Sequence, residues 1–153
     1  MEQQILLFIE YIHNKKKTSE NTEMSYKRDL RKLITYLNDR GIKDWNQVKI
    51  SDLNDYINSM FENNFANASI SRSIASIKAL FAFLQFSNVL EEDIAKDLKA
   101  PKIEKKAPNI LSKNEVTLLL EQPSGKTPKQ IRDKAMLELL YATGIRVSEL
   151  ISL

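Results

Sequence analysis

Apolar residues recur every three or four positions through most of this chain, and that spacing restricts the fold more than any other feature. The most regular run is Ile70, Ile74, Ile77, Phe81 and Leu84. Such a period places the side chains on one face of an α-helix, whereas a strand would need alternation at every second residue. The 153 residues include only three Gly and four Pro, which favours long helices over many short strands. The sequence therefore predicts an all-α fold.

Residues 1–100 are predicted to form a bundle of four or five helices. Besides the run above, stripes of helical spacing start at Ile5, Leu30 and Leu53. Ser51 is a candidate N-cap for the third helix, because a serine oxygen can accept a hydrogen bond from a free N–H in the first turn. A short fifth helix is expected at 91–98.

A linker is predicted at 101–109, between two domains. The stretch contains Pro101, Pro108 and several lysines but few apolar residues. A residue before Pro is disfavoured in the helical region, so no helix is expected to cross this stretch. Residues 110–153 are therefore expected to begin a second domain. Its first helix should start at Ser112, which has Glu115 three residues later and so the spacing of a capping box.

The last thirteen residues, Tyr141–Leu153, read YATGIRVSELISL and place one arginine between two helices. Gly144 is expected to end the first helix, since the residue after a last turn often takes the left-handed conformation that Gly adopts easily. Ser148 is a candidate N-cap for the next helix. Arg146 on this short connection could grip a phosphate by two parallel hydrogen bonds, or be a plain surface side chain. Glu149 could orient that guanidinium, or serve only as a helix-start carboxylate favoured by the dipole.

The cations are grouped, although the formal net charge of +3 is only a mild excess. One group is Lys15–Lys17 and another is Lys99, Lys102, Lys105 and Lys106. The third lies on the second predicted helix and consists of Lys27, Arg28, Arg31 and Lys32. Clustered cations attract a polyanion by releasing its counterions, although solvated helix faces give the same pattern.

The polar face of the fourth predicted helix is a second candidate for DNA contact. Arg72 and Lys78 flank the small side chains of Ser73 and Ser76 on that face. Small residues let a helix approach a duplex closely, and an arginine can reach base edges or phosphates from there. A helix whose small residues merely face water would have the same sequence.

Several other kinds of site are excluded or disfavoured. His13 is the only histidine and there is no cysteine, which argues against a metal site and excludes disulfides and a thiol nucleophile. Trp45 lies between helices and is expected to anchor packing rather than to stack on a base. The N-terminal apolar run is broken at Glu10 and has no small-residue cleavage site. Neither a signal peptide nor a membrane span is therefore expected, and the absence of cysteine fits a reducing cytoplasm.

Several ordered blocks resemble the tyrosine site-specific recombinases of the phage integrase family, in their Xer-type form. Tyr141–Leu153 resembles the family's first catalytic box, and Ile131–Met136 resembles the R-D-x-A-M segment before it. Ile110–Glu115 resembles the start of the family's catalytic domain. In the N-terminal part, Thr22–Leu30 follows the pattern T-x-x-x-Y-x-R-D-L. Ser71–Leu84 resembles the helix that begins S-R and ends FFxFL, with Leu80 in place of the first Phe.

The resemblance implies a fold and a division of labour. Residues 1–100 would be a SAM-like core-binding domain that forms half of a clamp around the duplex. Its second and fourth helices would face the major groove. The implied DNA-facing residues are Lys27, Arg28, Arg31, Arg72, Ser73, Ser76 and Lys78. Residues 110–153 would be the first helices of a truncated catalytic domain, in which Arg146 binds the scissile phosphate.

The resemblance also implies a reaction and partners. Family members cut and rejoin DNA through a 3′-phosphotyrosyl intermediate, with no metal and no cofactor, in mobile-element integration and in chromosome partition. Their partners are double-stranded DNA and further recombinase subunits, identical or different, which form a tetramer on DNA. The family's Lys, His-x-x-Arg box and Tyr nucleophile have no counterpart in this sequence. The chain alone is therefore expected to bind DNA without cutting it. The alternative is a stand-alone helical DNA-binding or interaction protein derived from such an enzyme.

Overall fold

The computed structural model describes residues 1–102 and 107–153. Within those ranges every regular element is a helix, so the predicted all-α fold is confirmed. The chain divides into two compact units, Met1–Glu104 and Lys105–Leu153. None of the helices in the described ranges is long and apolar enough to cross a membrane.

Four α-helices and a single 3₁₀ turn make up the described part of the first unit. They are α1 (Glu2–Lys16), α2 (Glu20–Asp39), the 3₁₀ turn Trp45–Gln47, α3 (Ile50–Glu62) and α4 (Asn67–Phe86). Both α2 and α4 pack against each of the other three α-helices. These two helices therefore form the centre of the bundle, and the remaining two complete it.

One hydrophobic core holds the first unit together. The buried side chains of α4 that contribute to it are Ile70, Ile74, Ile77, Leu80, Phe81 and Leu84. The Trp45 ring packs edge-on against Phe81, with 5.7 Å between the ring centroids, so Trp45 is the packing anchor that the sequence predicts. Burial of side chains of this size is the main favourable term in the folding of such a unit.

The helix starts differ in detail from the sequence predictions. The N-cap of α2 is Ser19, whose hydroxyl oxygen accepts the Thr22 N–H. The third helix begins at Ile50, so Ser51 lies within its first turn and is not the N-cap. The side chain of Asp52 instead accepts the backbone N–H of Lys49, which satisfies a group just outside the helix.

The short fifth helix expected at 91–98 is not formed, and the stretch is a series of turns. The Asp93 carboxylate accepts the backbone N–H of Ala95, a local bond that competes with helical pairing. The ammonium group of Lys78 donates to the carbonyl oxygen of Leu98 at 3.1 Å. Ala95 and Leu98 are buried, so these turns close one side of the core.

The second unit contains α5 (Lys113–Glu121), α6 (Pro128–Thr143) and α7 (Val147–Ile151). The predicted capping box is present, because Ser112 Oγ accepts the Glu115 N–H and the Glu115 carboxylate accepts the Ser112 N–H. Hydrogen bonds from the backbone and side chain of Ser112 lower the pKa of Glu115 below its ordinary value. Gly144 ends α6 in the left-handed conformation, with φ +65°, as predicted.

The helices α5, α6 and α7 bury none of their residues within the described structure. Large apolar side chains of this unit that remain exposed are Ile110, Leu111, Leu118, Leu119, Ile131, Leu139, Tyr141, Val147, Ile151 and Leu153. Burying apolar surface contributes about 25 cal/mol of favourable free energy per Å². Association that covers these exposed side chains is therefore favoured.

We therefore expect the 153-residue chain to self-associate as its concentration rises, and a chain shortened to residues 1–100 to remain monomeric. The shortened chain should also unfold cooperatively, because its core lies entirely within the first unit. Light scattering over a concentration series measures the association. Urea unfolding, monitored by circular dichroism, measures whether the shortened chain unfolds cooperatively. A 153-residue chain that stays monomeric throughout would show that its exposed apolar side chains do not drive association.

Candidate nucleic-acid interface

A basic face runs along the solvent side of α2. Its members line one open groove and are Met24, Lys27, Arg28, Arg31, Lys32 and Thr35. They follow the spacing i, i+3, i+4, i+7, i+8 and i+11, which is one stripe of an α-helix. The stripe contains four cations and no acidic residue. We call these six residues the basic face of α2.

The cations of this face have few internal partners. Arg31 Nε donates to Glu2 Oε1 at 2.6 Å, but both side chains are about half exposed, so the pair stabilises the fold little. The ammonium group of Lys32 lies 5.3 Å from the centroid of the Phe65 ring. Lys27 and Arg28 form no salt bridge with any other residue that the structure describes. The face is therefore free to attract an anion.

Arg72 joins α4 to α2 through a two-point ion pair. Its Nε donates to Asp29 Oδ2 at 2.8 Å and its Nη2 donates to Asp29 Oδ1 at 3.2 Å. The Asp29 side chain is only 5% exposed, whereas the Arg72 side chain is 44% exposed. The hydrogen bond to Asp29 raises the pKa of Arg72. Arg72 is thus an anchor between helices, and part of it still reaches solvent.

The expectation that Ser73 and Ser76 face DNA is wrong. Both side chains are fully buried, with 0% exposure. Because α4 packs against three helices, more of its circumference is buried than the side that carries its large apolar residues. The small serines lie on this additional buried side and let the neighbouring helices approach closely. Ser76 Oγ donates to the carbonyl oxygen of Ser73 at 2.8 Å, while Ser73 Oγ has no partner among the described residues.

Lys78 has a structural contact that its sequence position does not reveal. Its ammonium group holds the Leu98 carbonyl, as described above, and the side chain is half-buried. Of the predicted DNA-facing residues on α4, Arg72 is therefore the one with a well-exposed side chain.

Arg146 and Glu149 form a compact pair at the start of α7. Arg146 is the N-cap residue, so Ser148 lies inside the first turn and the prediction that it caps the helix is wrong. Glu149 Oε2 accepts the Arg146 backbone N–H at 2.8 Å, and its Oε1 accepts from Arg146 Nη1 at 3.0 Å. The Arg146 side chain is 82% exposed. Glu149 therefore restrains a guanidinium that remains open to an incoming anion.

Two family models match the chain in order. Residues 5–87 match the model described as the phage integrase N-terminal SAM-like domain, and residues 109–153 match the phage integrase family model. The chain belongs to the phage integrase family. The first model covers most of the bundle, including α2 and α4, and the second covers the segment that contains Arg146.

Curated proteins named tyrosine recombinases are similar to this chain over 95% or more of its length. The chain is 39% identical over 147 residues to tyrosine recombinase XerD of Oceanobacillus iheyensis, which covers 95% of this chain and 49% of that protein. It is 35% identical over 154 residues to tyrosine recombinase XerC of Roseiflexus castenholzii, which covers 100% of this chain and 49% of that protein. A Caldanaerobacter subterraneus protein, provisionally named a tyrosine recombinase, is 40% identical over 146 residues. The chain spans about half the length of these relatives.

The described residues contain no cluster of His, Cys, Asp and Glu that could hold a metal ion. Each of the two units contains an arginine that a carboxylate orients. Asp29 orients Arg72 and Glu149 orients Arg146. The carboxylate at Asp29 is a residue that sequence reasoning missed, although its position four residues before the buried Leu33 places it on the core-facing stripe.

Replacing Ser73 with Ala tests the burial of this serine. We expect unchanged DNA affinity, and a free energy of unfolding within about 1 kcal/mol of the wild type or higher, because the change removes a buried hydroxyl without a partner. Ser76→Ala, which loses a real hydrogen bond, should cost about 0.5–1.5 kcal/mol. Urea unfolding and a DNA-binding titration measure both quantities. Weaker DNA binding by a fully stable Ser73→Ala variant would indicate that this serine contacts DNA.

Proposed function

We propose that this chain is the DNA-binding part of a tyrosine recombinase and that it grips duplex DNA through the basic face of α2. The observation that carries the proposal is the clustering of Lys27, Arg28, Arg31 and Lys32 along one exposed helical stripe without an acidic residue. A stripe of this kind fits a row of phosphates, because each cation releases condensed counterions from the duplex. Members of this family act on DNA, and the charge pattern of the basic face suits that substrate.

Arg146 is proposed to bind the scissile phosphate in the complete reaction. In that reaction a tyrosine hydroxyl loses its proton and attacks the phosphorus, forming a 3′-phosphotyrosyl bond while the 5′-oxygen leaves as a hydroxyl. Negative charge develops on the non-bridging oxygens, and an exposed guanidinium at that point stabilises it. Glu149 limits the motion of Arg146, so less conformational freedom is lost when the phosphate binds.

The partners proposed for this chain are double-stranded DNA in the cytoplasm and further recombinase subunits assembled on it. The support for DNA is the basic face together with the family, and the support for subunits is the family and the exposed apolar side chains of α5–α7. No cofactor is proposed, since the phosphoester energy is kept in the covalent link to tyrosine.

Removing charge from the basic face should weaken DNA binding and reduce its salt dependence. For Lys27→Ala, Arg28→Ala and Arg31→Ala combined, the slope of log K against log salt should flatten by roughly 0.9 for each phosphate that the face no longer neutralises. A fluorescence-anisotropy titration at several salt concentrations gives both quantities. The matched control replaces Lys43, Lys96 and Lys113, which are also exposed and lie on other surfaces. Equal reductions in affinity in the two triple variants would mean that net charge alone governs binding.

A change at Glu2 should act in the opposite direction. Glu2→Gln removes the carboxylate that competes with DNA for Arg31, so affinity at low salt should rise about 1.5- to 5-fold, the range typical of an exposed ion pair. The same anisotropy titration measures the change. Weaker binding by Glu2→Gln would indicate that the Arg31–Glu2 pair is part of the bound structure.

The 153 residues by themselves should form no covalent link to DNA. The five tyrosines are Tyr11, Tyr26, Tyr36, Tyr56 and Tyr141. Burial raises the pKa of Tyr36 and of Tyr56, which disfavours the nucleophilic phenolate at both. None of the five matches the position of the family's nucleophile. Incubation with a nicked duplex that traps cleavage, followed by a denaturing gel, should show no adduct, and a band of protein-linked DNA would contradict this.

A further inference from the structure

A buried carboxylate next to a DNA-facing surface needs an explanation. Asp29 lies on α2 between Arg28 of the basic face and Leu30 of the core, and only 4% of the residue is exposed. Burying the carboxylate of an ion pair costs desolvation free energy that an apolar side chain at the same position would avoid. A specific arrangement of the partner guanidinium is what the Asp29 carboxylate provides and an apolar side chain would not.

The geometry of the pair determines which edge of Arg72 remains available. A guanidinium has five N–H groups, and Asp29 takes two of them, on Nε and on Nη2, which form one side edge of the planar group. The adjacent end edge, with one N–H on Nη1 and the second N–H on Nη2, has no acceptor among the described residues. This edge can donate two parallel hydrogen bonds to a group with two neighbouring acceptors.

Arg72 contacts α2 at Asp29, on the flank between the core stripe and the basic face, because helical spacing places Asp29 beside Lys32, three residues further on. The ion pair fixes it to Asp29, which immediately follows Arg28. Three residues further along α2, Lys32 lies over Phe65, which lies just before α4. The Arg72 side chain is 44% exposed, so it can contact a duplex that binds at this flank of α2.

We propose that Asp29 is a positioning residue for DNA recognition, which holds the Arg72 guanidinium so that its free edge donates two hydrogen bonds to one two-acceptor group of the duplex. This inference rests on the proposed function. The acceptor pair is either N7 and O6 of a guanine in the major groove or two oxygens of one phosphate.

Two variants test the proposal against simple electrostatics. Asp29→Asn removes a negative charge, so electrostatics alone predicts tighter DNA binding, as for Glu2→Gln. Positioning predicts weaker binding, by roughly tenfold, because the guanidinium loses its fixed orientation. Arg72→Lys keeps the charge and a donor for Asp29 but lacks the planar fork, so electrostatics predicts no change and positioning again predicts weaker binding. Anisotropy titrations of the full 153-residue chain at constant salt compare these two variants with wild type and with Glu2→Gln.

Selection from a pool of random duplexes distinguishes the two acceptors. A preference for guanine at one position that wild type shows and Arg72→Lys loses identifies the base edge. Identical selected pools, with weaker binding by both variants, identify a phosphate. Both results support the positioning role.

Circular dichroism and thermal unfolding are measured alongside, because Asp29→Asn alters a buried contact. If that variant does not fold, the DNA affinity of Arg72→Lys tests the proposal by itself, since this variant retains a cation next to Asp29. The proposal is overturned if folded Asp29→Asn binds as tightly as wild type or more tightly, or if Arg72→Lys binds like wild type. Either result leaves the proposed function intact, because wild type still binds DNA. Absence of DNA binding by wild type would remove the proposed function itself.

Discussion

The burial of α4 against three other helices is the constraint on which the first unit depends. Its large side chains, from Ile70 to Leu84, meet side chains of α1, α2 and α3 and close the core. Because α2 must turn its own stripe of Leu30, Leu33 and Leu37 inward, the opposite stripe is forced into solvent. The position of the basic face therefore follows from hydrophobic burial and not from any attraction between charges.

Burial also separates cations that look alike in the sequence. Lys27, Arg28 and Arg31 stay on the open stripe, whereas Arg72 is held by a buried carboxylate and Lys78 by a backbone carbonyl. A long side chain can reach from a helix flank to a fixed acceptor while its remaining donors face solvent. The same logic applies in the second unit, where Glu149 holds Arg146 and leaves it largely exposed.

The sequence is sufficient to predict the main helices, because apolar spacing and capping residues act locally. The capping box at Ser112 and the left-handed Gly144 are of this kind. Sequence patterns mislead where several elements meet. Large apolar residues mark a narrow stripe and so place Ser73 and Ser76 on the surface, although a central helix is buried over a wide sector. The Arg72–Asp29 pair joins residues 43 positions apart, and no local pattern reveals such a contact.

Mapping the protein amides that respond to duplex DNA is the most direct test of the central claim. Nuclear magnetic resonance spectra of the ¹⁵N-labelled chain would be recorded during titration with a short duplex at low salt. The account predicts shift changes concentrated on the basic face of α2, at residues such as Arg28, Arg31 and Thr35, and at Arg72 on α4. Changes confined to α3, or to residues 107–153, with α2 unaffected, would contradict it.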